Sequence, residues 1–160
     1  MIEGGEDVKF IARRLLILAS EDIGNANPNA LLLANNTFQA VSVVGWPESR
    51  ILLSQCTIYL ASSPKSNASY MAINKAQELV KETGNLEVPL PLRNAPTTLM
   101  KELGYGSEYL YAHDYPGNFV DQEFLPDEIK GENIVEMGNN QREQQLKKEL
   151  LQKWNKKYHF

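Results

Sequence analysis

Leu92-Arg93-Asn94-Ala95-Pro96-Thr97-Thr98-Leu99-Met100-Lys101-Glu102-Leu103-Gly104-Tyr105-Gly106-Ser107-Glu108-Tyr109-Leu110-Tyr111-Ala112-His113-Asp114-Tyr115-Pro116-Gly117-Asn118-Phe119 breaks an otherwise helical pattern. It carries one brief helix signal, five aromatic residues, two prolines and one of the chain's two histidines. Such a segment is either an active site or a rigid strap that ties helices together. Everything before it reads as helix, and after it come turns and one last helix. The fold class that follows is all-α.

Upstream, Val8, Ile11, Ala12, Leu15, Leu16 and Ala19 repeat at the spacing of an amphipathic helix. Phe10, Ile17 and Leu18 add a second apolar face, so this helix is expected to contact partners on two sides. Glu6 and Asp7 suit its positive N-terminal end, and Gly24 closes it. Asn27-Pro28 pairs a cap residue with proline at the first helical position. The helix it opens, Ala30 to Val44, is apolar nearly all round, the mark of a central buried element. Trp46-Pro47-Glu48 opens a third helix with Leu52, Cys56, Tyr59 and Leu60 as its stripe, stopped by Ser63-Pro64. Ser66 or Asn67 caps a fourth, with Tyr70, Ile73, Gln77 and Val80 on one face. Short connections make neighbouring helices antiparallel.

Val88-Pro89-Leu90-Pro91-Leu92 is expected to be extended, because each proline pushes its predecessor out of the helical region. Pro96 starts a short fifth helix through Leu103, and Gly104 ends it. Pro126 to Lys130 forms a further turn ended by Gly131. Ile134 to Met137 reads as a short extended piece. The last helix, about 141–157, carries Leu146, Leu150, Leu151 and Trp154 on one face. The domain reading is a helical body over 1–137 and a basic C-terminal helix over 138–160.

A chain of 160 residues fits one domain that buries roughly 70% of its unfolded surface. No apolar run approaches the ~20 residues of a membrane span, so no membrane partner is expected. Cys56 is the one cysteine, so no internal disulfide can form, and a reducing cytoplasm is the expected setting. The net charge of −4 hides an asymmetry: from Gly138 onward the balance is +4, and before it −8. Lys147, Lys148, Lys153, Lys156 and Lys157 are therefore candidate DNA contacts, against the reading of a solvated helix face.

Three candidate chemistries stand beside plainer readings. His113-Asp114 suggests a general base, but adjacent residues in a turn seldom face each other and no nucleophile motif accompanies them. Asp114 capping a turn and His113 packing is the structural alternative. Pro64-Lys65-Ser66 lacks the glycines of a phosphate loop, leaving Lys65 exposed at a helix junction beside the cap residue Asn67. Glu21-Asp22 lies at a negative helix end and calls for a partner such as Arg50, Arg93 or a main-chain amide. Two carboxylates without a histidine cluster do not make a metal site. Cys56, on an apolar stripe, reads as inert core. Tyr105, Tyr109, Tyr111 and Tyr115 either stack bases or pack with a hydrogen-bonded tip.

Read together, several strings resemble one family. Phe10-Ile11-Ala12-Arg13-Arg14-Leu15, Leu18-Ala19-Ser20-Glu21-Asp22-Ile23-Gly24, Ile58 through Ala68, and Leu92 through Pro116 are similar to the C-terminal part of the replication-associated recombination protein A (RarA/MgsA) family. That family includes the Werner helicase-interacting protein and is related to clamp loaders. The resemblance runs from about Gly5 to Gly131. The last helix matches only in general character.

The resemblance implies an AAA+ ATPase of stalled replication forks whose motor, with its ATP and Mg, precedes this region. Met1-Ile2-Glu3-Gly4-Gly5 then resembles the tail of a preceding helix. It implies an all-helical domain similar to the clamp-loader collar, assembling a homotetramer, with no catalytic residue, cofactor or metal in this chain. Forked or single-stranded DNA, through the whole protein, and replisome proteins such as single-strand binding protein are the implied partners, in a cytoplasmic, nucleoid-associated setting. The chain's own pattern agrees, with two apolar faces on the first helix and a nearly all-apolar second. A DNA-contacting module built on the basic tail, and a small hydrolase using His113, are the alternatives. On the assembly reading, Arg93, Asn94, Pro96, Gly104 and Tyr105 set the strap, with Arg93 and Asn94 meeting helix ends and Glu21 and Asp22.

Overall fold

Asp7 starts the first helix, its carboxylate accepting the Phe10 N–H at 2.9 Å in the computed structural model, which describes residues 1–154, 157 and 158. Helix α1 spans Val8–Leu18 and runs on into a wider π-turn, Ala19–Ile23, and a 3-10 turn, Gly24–Ala26. Helix α2 spans Asn29–Val44, α3 Ser49–Ala61, α4 Ala68–Thr83, α5 Thr98–Glu102 and α6 Gln141–Trp154. No strand occurs among the described residues, and the fold is all-α. None of the described helices is long and apolar enough to cross a membrane. The chain forms two compact units: Met1–Lys75 with Ile134–Lys148, and Ala76–Asn133 with Glu149–Phe160. Both units draw residues from either side of position 137.

In the first unit α1, α2 and α3 pack on one another. Ala19, Ile23, Ala30, Ala34, Cys56 and Leu60 form one buried cluster, and Val8, Ile11, Ala12, Val41 and Leu53 the other. Large buried side chains such as Ile23 and Leu60 each gain about 1.5–3 kcal/mol from leaving water. The alternation of alanine with bulky residues lets the helices approach closely. Burial pushes the Cys56 thiol above its ordinary 9.0, opposed by the Thr37 hydroxyl, so it stays a neutral core group.

Three helix expectations are corrected. α2 packs on both α1 and α3 but is not buried all round: it buries only Ala30, Ala34, Thr37 and Val41, while Leu32 and Val43 are 63% and 87% exposed. Leu31, Leu32 and Val43 share the exposed side with Asn35, Gln39 and Ser42, so the apolar residues alone do not mark which side the neighbours cover. Asn27 precedes α2 but its side chain does not cap it; the amide reaches Tyr59 and Ser63 of the α3 end instead, at 3.1 and 3.0 Å. On α4 the inward face is the small stripe Ala68, Ala72 and Ala76, and Tyr70, Ile73 and Val80 lie exposed.

The α1 end meets the α4 start through main chain. Ser66 donates its N–H to the Asp22 carbonyl at 2.8 Å, and Asn25 reaches the Ser69 hydroxyl at 3.2 Å. Gly24 has φ +49, and a Cβ there would lie 3.0 Å from the Ser66 carbonyl oxygen. Glycine is required by both conformation and space.

In the second unit Leu90–Leu92 closes into a 3-10 turn, where an extended run was expected. The turn gives the Leu92 N–H an acceptor, the Pro89 carbonyl at 2.9 Å. Helix α5 starts two residues beyond Pro96, because Thr97 supplies the cap through its hydroxyl. It ends in a Schellman turn: Gly104, at φ +81, donates to the Lys101 carbonyl, and Tyr105 to that of Met100.

Helix α6 is described over Gln141–Trp154; residues 155 and 156 of the expected span lie outside the described residues, residue 157 is not helical, and Leu151 is exposed. The indole meets Phe119, Phe124 and Tyr158 edge-on at 4.9, 6.1 and 5.4 Å between ring centres. The aromatic end of the Leu92–Phe119 stretch is thus held by Trp154.

Candidate functional site

Large apolar side chains are exposed on the outer sides of α2 and α3. Ile51 and Ile58, 59% and 66% exposed, stand two turns apart on α3 with Ser54 and Gln55 between them. A groove of about 520 Å³ beside them is lined by Asn29, Leu33, Gln55, Ile58, Tyr59 and Ser62. Leu32 on α2 is exposed as well, at 63%. Apolar groups at heptad spacing with short polar groups between suit packing against another helix.

The expected strap residues have local partners. The Arg93 guanidinium bonds Glu87 at 2.6 Å, the Val88 carbonyl and the Tyr105 hydroxyl, and lies over the Tyr105 ring. The Glu87 carboxylate is six residues away in the chain and needs no long-range closure. Glu87 then Tyr105 hold the guanidinium pKa above its ordinary value. Arg93→Ala should therefore lower the melting temperature more than Glu87→Gln, which removes only one of these partners; calorimetry on both variants checks the order.

Glu21 and Asp22 side chains are exposed, so water solvates them at the helix end, and Asp22 acts through its carbonyl. Lys65 is exposed at the α3–α4 junction, and Asn67 offers its carbonyl to the Met71 N–H while the Ser66 hydroxyl accepts that of Ala68. Asn94 and Pro96 are exposed. Tyr109, Tyr111 and Tyr115 are also exposed, while Tyr105 is half-buried beneath the Arg93 guanidinium. His113 sits in an exposed turn against the Tyr111 ring, 5.1 Å between centres, and Asp114 gives its N–H to the Tyr111 carbonyl. Among the described residues no hydroxyl or thiol bonds to His113 and no cluster of metal ligands forms.

The basic tail is smaller than its sequence suggests. Lys157 is committed to Asp121, Glu123 and the Gln122 carbonyl, at 3.1, 3.5 and 2.7 Å. Its ammonium also lies 4.9 Å from the Trp154 ring centre. Lys157 is thus held against acidic and main-chain oxygens of the 121–123 segment. Lys147 is half-buried, Lys148 and Lys153 are exposed, and Lys156 lies outside the described residues.

Burial alone would raise Glu123, but the N–H groups of Leu125 and Phe124 and the Lys157 ammonium hold its carboxyl below the ordinary 4.5. A lowered folded value means stability present above pH 4.5 and lost as pH falls through the folded value. Glu123→Gln should flatten the acid limb of the stability–pH curve, measured by urea unfolding at successive pH values.

One residue was missed from sequence. Glu143 is fully buried, and its Oε2 accepts the Gly138 N–H at 2.6 Å and the Asn140 amide at 2.9 Å. Asn140 in turn caps α6, accepting the Glu143 N–H at 3.0 Å. Asn140-Gln141-Arg142-Glu143 has capping-box spacing and was readable as such. A Cβ on Gly138 would lie 2.6 Å from Oε2, so any larger residue there must displace the Glu143 carboxylate.

A family model described as "MgsA AAA+ ATPase C terminal" matches residues 1–155. An uncharacterized protein of Thermotoga maritima is 48% identical over 99% of this chain and 26% of its own length. The replication-associated recombination protein A of Coxiella burnetii is 48% identical over 82% of this chain and 30% of its own. The ATPase WRNIP1 of Dictyostelium discoideum is 42% identical over 85% of this chain and 16% of its own. The chain thus spans less than a third of each of these relatives.

Proposed function

Because this chain belongs to the MgsA AAA+ ATPase C-terminal family, we propose that it is the assembly domain of a DNA-dependent ATPase acting in replication, recombination and repair at stalled forks. Its role is to bring copies of the parent together as a homotetramer, while ATP and Mg chemistry belongs to the rest of that parent. The carrying observation is the exposure of the apolar side chains Leu32, Ile51 and Ile58, which a monomer would leave in water. Burying three such side chains contributes about 1.5–3 kcal/mol each before association costs. Parent copies held this way can engage forked or single-stranded DNA and replisome proteins such as single-strand binding protein together, in the cytoplasm at the nucleoid. Light scattering on the chain over a concentration series tests the reading. Mass rising to four chains supports it, and one chain at every concentration overturns it.

A further inference from the structure

We propose that the second unit carries a docking cleft for a cationic, extended peptide segment. The cleft, of about 750 Å³, lies between the 85–93 segment and the 122–130 turn. Val88 and Leu90 are 54% and 43% exposed and give it apolar purchase. Its acidic rim is in excess. Glu87 is engaged by Arg93 and Glu123 by Lys157, which leaves Glu108, Asp127 and Glu128 with Lys130 as the remaining lysine among the lining residues.

A separate observation points to a hydrogen-bonding occupant. Gln122 lines the cleft and is 8% exposed; its Oε1 accepts the Leu110 N–H at 3.3 Å, but its Nε2 is buried without an acceptor. A buried donor without a partner is destabilising, and a main-chain carbonyl entering the cleft would supply its acceptor. A peptide supplies that carbonyl, basic side chains for the rim and apolar ones for Val88 and Leu90. A nucleic-acid strand would set phosphates against three carboxylates.

Fluorescence anisotropy on the whole chain tests this with a short labelled peptide alternating lysine and leucine. Saturable binding is expected, weakened about tenfold in the Asp127→Lys, Glu128→Lys variant. Glu3→Lys, Glu21→Lys makes the same net-charge change in the first unit and should leave the affinity unchanged. Gln122→Met should weaken binding at every salt concentration. Equal affinity in both double variants, or tighter binding of a glutamate–leucine peptide or an oligothymidylate, would overturn the proposal.

Discussion

Glu143→Ala is expected to lower stability by about 3 kcal/mol, a fall of roughly 6–12 °C in melting temperature for a chain of this size. The carboxylate is wholly buried and gives charge-assisted acceptors to the Gly138 N–H and the Asn140 amide. Truncation leaves two half-buried donors without that acceptor and unties the α6 N-terminus, which also depends on Asn140. Glu143→Gln keeps one acceptor oxygen and should lose less. Circular dichroism melts of the two variants settle the order, and a fall under about 2 °C for alanine would contradict the capping account.

The second large effect is expected at Ile23. Its side chain is buried in the π-turn between α1 and α2, among Ala19, Ala30, Ala34, Cys56 and Leu60. Three of those five neighbours are alanines, which have no side-chain torsion with which to close a void. The cavity left by Ile23→Ala should therefore stay open, placing the loss near 4 kcal/mol within the usual range of about 2–5. Ile23→Val removes a single methylene and should cost about 1 kcal/mol. Urea unfolding reads both, and equal midpoints would show that the site collapses freely.

These residues differ in how far the sequence disclosed them. The α1 stripe and the Gly104 stop were legible because periodicity and a lone glycine each leave one reading. The α2 orientation was less so, since Leu31, Leu32 and Val43 share the exposed side with Asn35, Gln39 and Ser42 and blur the polar stripe. On α4 the bulk of Tyr70, Ile73 and Val80 concealed the smaller stripe Ala68, Ala72 and Ala76, which allows closer approach. Arg93 and Lys157 were legible as important cations, but their partners were not, because Glu87, Asp121 and Glu123 are chosen by turn geometry. The capping box at Asn140 was present in the sequence and overlooked beside the charge of the tail. The Leu92–Phe119 stretch is accordingly a set of local ties: Arg93 to Glu87 and Tyr105, the Gly104 turn, and Phe119 on Trp154.

Assembly through the outer α2–α3 face is the claim on which the functional reading stands. Sedimentation velocity of the chain beside its Ile51→Glu, Ile58→Glu variant tests it most directly. Both side chains are already exposed, so the variant should keep its melting temperature while its boundary falls from a tetramer to a monomer. Identical sedimentation of the two proteins, with the fold intact in each, would contradict it.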